Sequence, residues 1–118
     1  MPKTAVVIDD SQFLVKRIAA FLEKDLGMEV VATGADGNAA VQLYREHTPD
    51  VLTLDITMPN KDGQQALREI LDEFPQARVV IISALRGDAV LECMSMGACG
   101  YVEKPVKFTD PQYMEAFK

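Results

Sequence analysis

The amino-acid sequence predicts an α/β protein built on a parallel β-sheet. Five short apolar runs, rich in β-branched residues, recur along the 118 residues. Between them lie segments whose apolar residues return every three or four positions, the spacing of a helix with one buried face. Gly, Pro and Asp mark the joints. Strands alternating with helices pack as a parallel sheet, because each helix carries the chain back across the sheet to begin the next strand.

The first run, Ala5-Val6-Val7-Ile8, is uninterrupted and β-branched, as a strand buried on both faces requires. A helix follows from about Ser11 to Leu26, with Leu14, Ile18, Leu22 and Leu26 four apart and Val15 and Ala19 widening the stripe. Asp10 or Ser11 can cap its start, and Gly27 suits its end. Glu29-Val30-Val31-Ala32 is the second strand, and Gly34-Ala35-Asp36-Gly37 reads as a loop. The second helix runs from about Asn38 to His47 and buries Ala40, Leu43 and Tyr44. Pro49 prevents its continuation.

Val51-Leu52-Thr53-Leu54 forms the third strand and Met58-Pro59-Asn60-Lys61-Asp62-Gly63 a loop. The third helix places Ala66, Leu67, Ile70, Leu71 and Phe74 on one face. Val79-Val80-Ile81-Ile82 is the fourth strand. A shorter helix spans about Asp88 to Met96, with Gly97 at its end. Gly100-Tyr101-Val102-Glu103 is the fifth strand. Asp110-Pro111, a cap followed by proline at the first helical position, opens a last helix of about two turns. The methionines, Met58 apart, read as packing residues. No repeat or linker interrupts the pattern, so a single domain over residues 1–118 is expected.

Composition narrows the function classes. A formal net charge of −6 argues against direct nucleic-acid binding through a basic face. No apolar run nears the roughly 20 residues of a membrane-spanning helix. The first residues lead straight into a strand and give no sign of a signal peptide, so a cytoplasmic protein is expected. Cys93 and Cys99, with no metal-ligand spacing around them, read as reduced packing thiols.

The chemistry lies just beyond the end of each strand. Ligands of open parallel sheets bind outside the carboxyl ends of the strands. Here those ends carry Asp9-Asp10, Asp55, Ser83 and Lys104, while the second strand is followed by no such residue. Three carboxylates in one pocket repel one another and call for a cation, and a hard ion such as Mg²⁺ suits oxygen ligands. Lys104 adds a fixed positive charge and Ser83 a neutral donor. The set is complementary to a phosphoryl group, and an aspartate can serve as its acceptor. Asp55, standing alone between the acidic pair and the cationic side, is the candidate nucleophile.

In these elements the sequence resembles the response-regulator receiver family, and within it the CheY-like, single-domain chemotaxis members. The matching residues are Asp9-Asp10, Asp55, Met58 to Gly63, Ser83-Ala84 and Lys104-Pro105, spread over almost the whole chain in order. The resemblance implies a flavodoxin-like, doubly wound sheet of five parallel strands in the order 2-1-3-4-5, with helices on both faces. CheY is a standard example of that order, which comes from the family and not from periodicity. It implies Asp55 as phosphoacceptor and also as a Mg²⁺ ligand, Asp10 as a direct Mg²⁺ ligand, Asp9 acting through water and the Thr57 carbonyl as a further ligand. Ser83 and Lys104 would contact the phosphoryl oxygens, and Tyr101 would be the aromatic switch as well as a half-buried strand residue. A cis peptide before Pro105 is expected.

The implied donor is the phosphohistidine of a histidine kinase. The implied output is a downstream protein bound at the face of the fourth helix, fifth strand and fifth helix. Such a domain assists its own phosphorylation and turns over no substrate, so it is not an enzyme in the ordinary sense. Ser83 stands where the family more often has threonine. Thr57 and Leu85 lack the amide or carboxylate that orients water in fast-hydrolysing relatives, so slow autodephosphorylation is expected. Alternatives fit less well. An interaction module would have a damaged pocket. An Asp-nucleophile phosphatase wants an acid at position 57, and a flavin-type binder wants a glycine-rich loop where Asp9-Asp10 stands.

Overall fold

The structure is a computed structural model that describes residues 3–55, 63–83 and 88–103. At residues 63, 64, 83, 88–90, 101 and 103 it describes the backbone. Residues 58–62 of the loop expected over Met58–Gly63, together with Leu85, the Lys104-Pro105 peptide and the last helix from Asp110, lie outside the described residues, while Gly63 falls at the start of a helix instead of in the loop.

In chain order the elements are β1 (Thr4–Ile8), α1 (Gln12–Asp25), β2 (Glu29–Gly34), α2 (Gly37–His47), β3 (Val51–Leu54), α3 (Gly63–Glu73), β4 (Val79–Ser83), α4 (Asp88–Met96) and β5 (Gly100–Glu103). All strand pairings are parallel, and the sheet runs β2-β1-β3-β4-β5. The expected parallel α/β sheet is therefore present, with β1 and β3 side by side at its centre.

Both faces of the central strands are buried, which explains their unbroken apolar runs. Val6, Ile8, Leu52, Leu54, Val79 and Ile81 join residues of α2, α3 and α4 in one core. Ala5, Val7, Val51, Val80, Ile82 and Val102 join Val15, Ile18, Phe21 and Leu22 of α1 in a second. Fully burying a side chain such as Ile18 or Leu22 contributes about 1.5–3 kcal/mol.

The stripe of α1 differs in detail from the four-residue repeat. Its fully buried members are Val15, Ile18, Phe21 and Leu22, whereas Leu14 and Leu26 only border the core. The helix turns 3.6 residues at a time, so a strict four-residue repeat drifts off the buried face and Phe21 moves onto it. Met94 is exposed, with Leu91, on the outside of α4, and Cys99 is exposed while Cys93 is buried, which corrects the reading of Met94 and Cys99 as packing residues.

Two boundaries shift near β2. The strand continues through Thr33 and Gly34, and α2 begins at Gly37, its N-terminus capped by the Asp36 carboxylate, which accepts the N–H of Ala39 at 2.8 Å. A register shift lies between Ala5 and Val6. Ala5 pairs with Val30 but Val6 with Ala32, leaving Val31 as an extra residue on the edge strand. At the other end of α2, Thr48 takes the left-handed conformation (φ 38°) and donates its N–H to the carbonyl of Tyr44 at 2.8 Å, so the helix stops before Pro49 is reached.

Candidate functional site

The strand register assembles the site from the backbone upward. Ile8 pairs with Leu54, and the next backbone step repeats the ladder: the N–H of Asp55 donates to the carbonyl of Ile8 at 3.1 Å. Asp9 and Asp55 thus leave neighbouring strands at the same level and edge. On its other side, Asp9 donates its N–H to the carbonyl of Gly34 at 3.1 Å.

Local turn chemistry aims the acidic pair. One oxygen of Asp9 accepts the N–H of Ser11 at 2.9 Å, a tight turn that links β1 to α1. Ser11, not Asp10, caps the helix: its hydroxyl accepts the N–H of Leu14 at 3.3 Å. Asp10 is left on the exposed rim. The result is a cluster in which one carboxylate oxygen from each of Asp9, Asp10 and Asp55 lies within 4.8 Å of the others. Asp9 and Asp55 are each 1% exposed, and Asp10 faces solvent.

Three anionic groups at this spacing, two of them buried, fit a hard divalent cation. Their oxygens are the donor type that Mg²⁺ takes, and the exposed third member leaves room for water ligands. The arrangement also leaves a buried carboxylate, Asp55, at the mouth of the sheet.

Ser83 ends β4 at the same edge. Leu54 pairs with Ile81, so Asp55 and Ser83 leave adjacent strands on one side of the sheet. Tyr101 lies on β5 opposite Ile81. Thr57 and Lys104 lie outside the described residues. The structure thus gathers Asp9, Asp10 and Asp55 as carboxylates and Ser83 as a strand end. Sequence reasoning missed Gly34, whose contribution is a carbonyl and an absent side chain. The one available signal was a glycine at the end of a strand.

Residues 5–114 match the model of the response regulator receiver domain. The chain belongs to this family. The receiver is 40% identical over 106 residues to the chemotaxis protein CheY of Bacillus subtilis, covering 89% of this chain and 88% of that protein. It is 44% identical over 102 residues to protein-glutamate methylesterase/protein-glutamine glutaminase 1 of Oleidesulfovibrio alaskensis. That match covers 84% of this chain but spans 27% of the longer relative. Among solved structures, it resembles the CheX–CheY–BeF3–Mg²⁺ complex from Borrelia burgdorferi, with a TM-score of 0.90 and 34% identity over 100% of this chain and 91% of that one. The protein is a CheY-like receiver domain with the flavodoxin-like α/β fold of two-component response regulators.

Proposed function

We propose that the chain, as one receiver domain over residues 1–118, is a phosphoryl-accepting switch whose acceptor is Asp55. The observation that carries this reading is the cluster of Asp9, Asp10 and Asp55 oxygens within 4.8 Å at the carboxyl edge of the sheet. An Asp55 carboxylate oxygen attacks the phosphorus of a histidine kinase's phosphohistidine. The phosphorus–nitrogen bond breaks, and the departing imidazole takes up a proton. Asp10, Asp55, the Thr57 carbonyl and Asp9 (through water) would hold Mg²⁺, which when bound would supply positive charge to offset that on the phosphoryl oxygens. Ser83 and Lys104 hydrogen-bond those oxygens. Positioning and electrostatics do most of the work in such transfers. The solved relative that contains BeF3 and Mg²⁺ supports this assignment.

The added group carries about 1.5–2 negative charges and strong acceptor oxygens. Bonds from Ser83 and Lys104 to it favour one arrangement of the loops after β4 and β5, with Tyr101 turning inward, which is a population shift between two states. The complete fold in this reading is the doubly wound five-stranded sheet with helices on both faces, its last helix following β5. The output is a downstream protein bound at the face of α4, β5 and that helix. Leu91 (65% exposed) and Met94 (41% exposed) support it, as apolar side chains three residues apart on α4. The match to nearly all of Bacillus subtilis CheY supports a chemotaxis-type role.

The domain assists its own phosphorylation and dephosphorylation and turns over no separate substrate. Its place is the cytoplasm, where histidine kinases present their phosphohistidine. Among the described residues no helix is long and apolar enough to cross a membrane. With Thr57 and Leu85 in place, loss of the phosphoryl group is slow. Rapid loss unchanged by Thr57→Asn would overturn that point.

The central test is intact-mass analysis after incubation with acetyl phosphate, with and without Mg²⁺, on wild type and Asp55→Asn. A Mg²⁺-dependent gain of one phosphoryl group, absent from the variant, is expected. No gain from acetyl phosphate or from a phosphohistidine donor would point instead to an interaction module that is not phosphorylated.

A further inference from the structure

We infer that Gly34 is a positioning residue for the acidic cluster, holding Asp9 in place through its own carbonyl oxygen. This rests on the reading of the cluster as a cation site. β2 is the edge strand and contributes no carboxylate, yet it is tied to the cluster at one point. The Gly34 carbonyl accepts the Asp9 N–H at 3.1 Å. The extra residue at Val31 advances β2 by one position, which places Gly34 beside Ile8 and its carbonyl within reach of Asp9.

The contact depends on the absent side chain. A β-carbon at Gly34 would lie 2.7 Å from the β-carbon of Ala39, 3.0 Å from Cδ1 of Ile8 and 3.3 Å from Cδ1 of Leu43. The isoleucine and leucine methyls are ends of flexible chains and can move. The Ala39 β-carbon cannot, because its residue sits in the first turn of α2 with its N–H held by Asp36 at 2.8 Å. Alanine at position 34 therefore pushes the end of β2 away from α2 and pulls its carbonyl off Asp9. The Asp9 main chain then loses its anchor on the β2 side, and its carboxylate oxygens rotate out of register with Asp10 and Asp55. Groups that orient a metal ligand from behind matter to affinity in this way.

The experiment compares wild type, Gly34→Ala, Ala39→Gly and the double variant. Mg²⁺ affinity is read by calorimetric titration. Hydrogen exchange of single amides is read by NMR without metal. Gly34→Ala is expected to weaken Mg²⁺ binding by about tenfold. It should speed exchange at the Asp9 amide more than at the Asp55 amide, which donates to Ile8 and not to Gly34. Removing the Ala39 β-carbon makes room, so the double variant should return to within about threefold of Ala39→Gly in Mg²⁺ affinity. This comparison stands even where Gly34→Ala alone fails to fold.

A merely structural glycine gives a different pattern. Gly34→Ala would then lower the melting temperature and speed both amides alike with Mg²⁺ affinity unchanged, which overturns the inference. A folded double variant that still binds Mg²⁺ tenfold more weakly also overturns it. Wild type that binds no Mg²⁺ counts against the cation-site reading, and the Asp9 amide alone then decides the hold of Gly34.

Discussion

The carboxylate of Asp9 accepts the backbone N–H of Ser11 at 2.9 Å, while the hydroxyl of the same Ser11 caps α1 through Leu14. One residue thus serves the site with its main chain and the helix with its side chain. The two duties separate by mutation. Ser11→Ala removes the cap and should cost about 1 kcal/mol in urea unfolding. It keeps the N–H that orients Asp9, so Mg²⁺ affinity should stay at the wild-type value. Asp9→Asn keeps an acceptor for that N–H but removes a charge, so it should weaken Mg²⁺ binding with little change in metal-free stability. A large loss of Mg²⁺ affinity in Ser11→Ala would show that the hydroxyl, not the main chain, organises the pair.

Tyr44 gives a prediction at high pH. Its ring is buried against Phe74, with centroids 4.9 Å apart. Burial raises its hydroxyl pKa above the ordinary value, and the negative charge of Asp50 adds to the effect. The folded chain therefore holds this proton more tightly than the unfolded chain. The stability it contributes is complete below about pH 10, the ordinary tyrosine value, and is lost as pH rises from there toward the folded value. Urea unfolding across that range should show wild type losing stability more steeply than Tyr44→Phe. Equal slopes would mean that the hydroxyl ionises as freely in the folded chain as in the unfolded one.

Much of the site was legible because its residues lie where apolar runs end. Asp9, Asp10 and Asp55 can be placed at one edge by recognising β1 and β3, with no knowledge of side-chain packing. Ser11 as the cap was only half legible, since Asp10 is an equally good residue type and the choice falls to the turn made by Asp9. The start of α2 is hidden in the sequence because Gly37 reads as a breaker, whereas the first helical turn tolerates it once Asp36 caps the N-terminus. Gly34 was illegible for a deeper reason. Its role depends on a register shift at Val31 and on the β-carbon of Ala39, and neither has a sequence signature. Phe21 falls outside a strict four-residue repeat and joins the core because the helix repeats every 3.6 residues.

Thr48 ends α2 at φ 38° and ψ 60°, in the left-handed region. For a residue with a β-carbon this conformation costs roughly 1–2 kcal/mol, and more where that carbon is branched. Glycine takes it freely, at some loss of backbone entropy. Thr48→Gly should therefore gain about 1 kcal/mol, read as a shift in the urea midpoint at unchanged slope. Thr48→Ala keeps the β-carbon and should gain less. The site lies at the other end of the sheet, so phosphorylation should not respond to either change. A destabilised Thr48→Gly would mean that the threonine side chain makes contacts worth more than the strain.

Thr53 lies two residues before Asp55 on β3, 1% exposed, between Val7 and Val80 on the neighbouring strands. Among the described residues its Oγ1 has no hydrogen-bond partner. A buried hydroxyl that finds no partner forfeits its hydrogen bonds to water and costs on the order of 1–3 kcal/mol. Valine has nearly the same shape and suits a strand at least as well. Thr53→Val should therefore raise stability by about 1 kcal/mol, less than the full penalty because buried sites relax around a poor fit. The side chain belongs to the face that packs on α1, while the carboxylates are set by the ends of β1 and β3. Mg²⁺ affinity and the rate of phosphorylation by acetyl phosphate should accordingly stay the same. A loss of stability in Thr53→Val would show that the hydroxyl is hydrogen-bonded in solution. Slower phosphorylation at unchanged stability would instead make Thr53 part of the machinery that places Asp55.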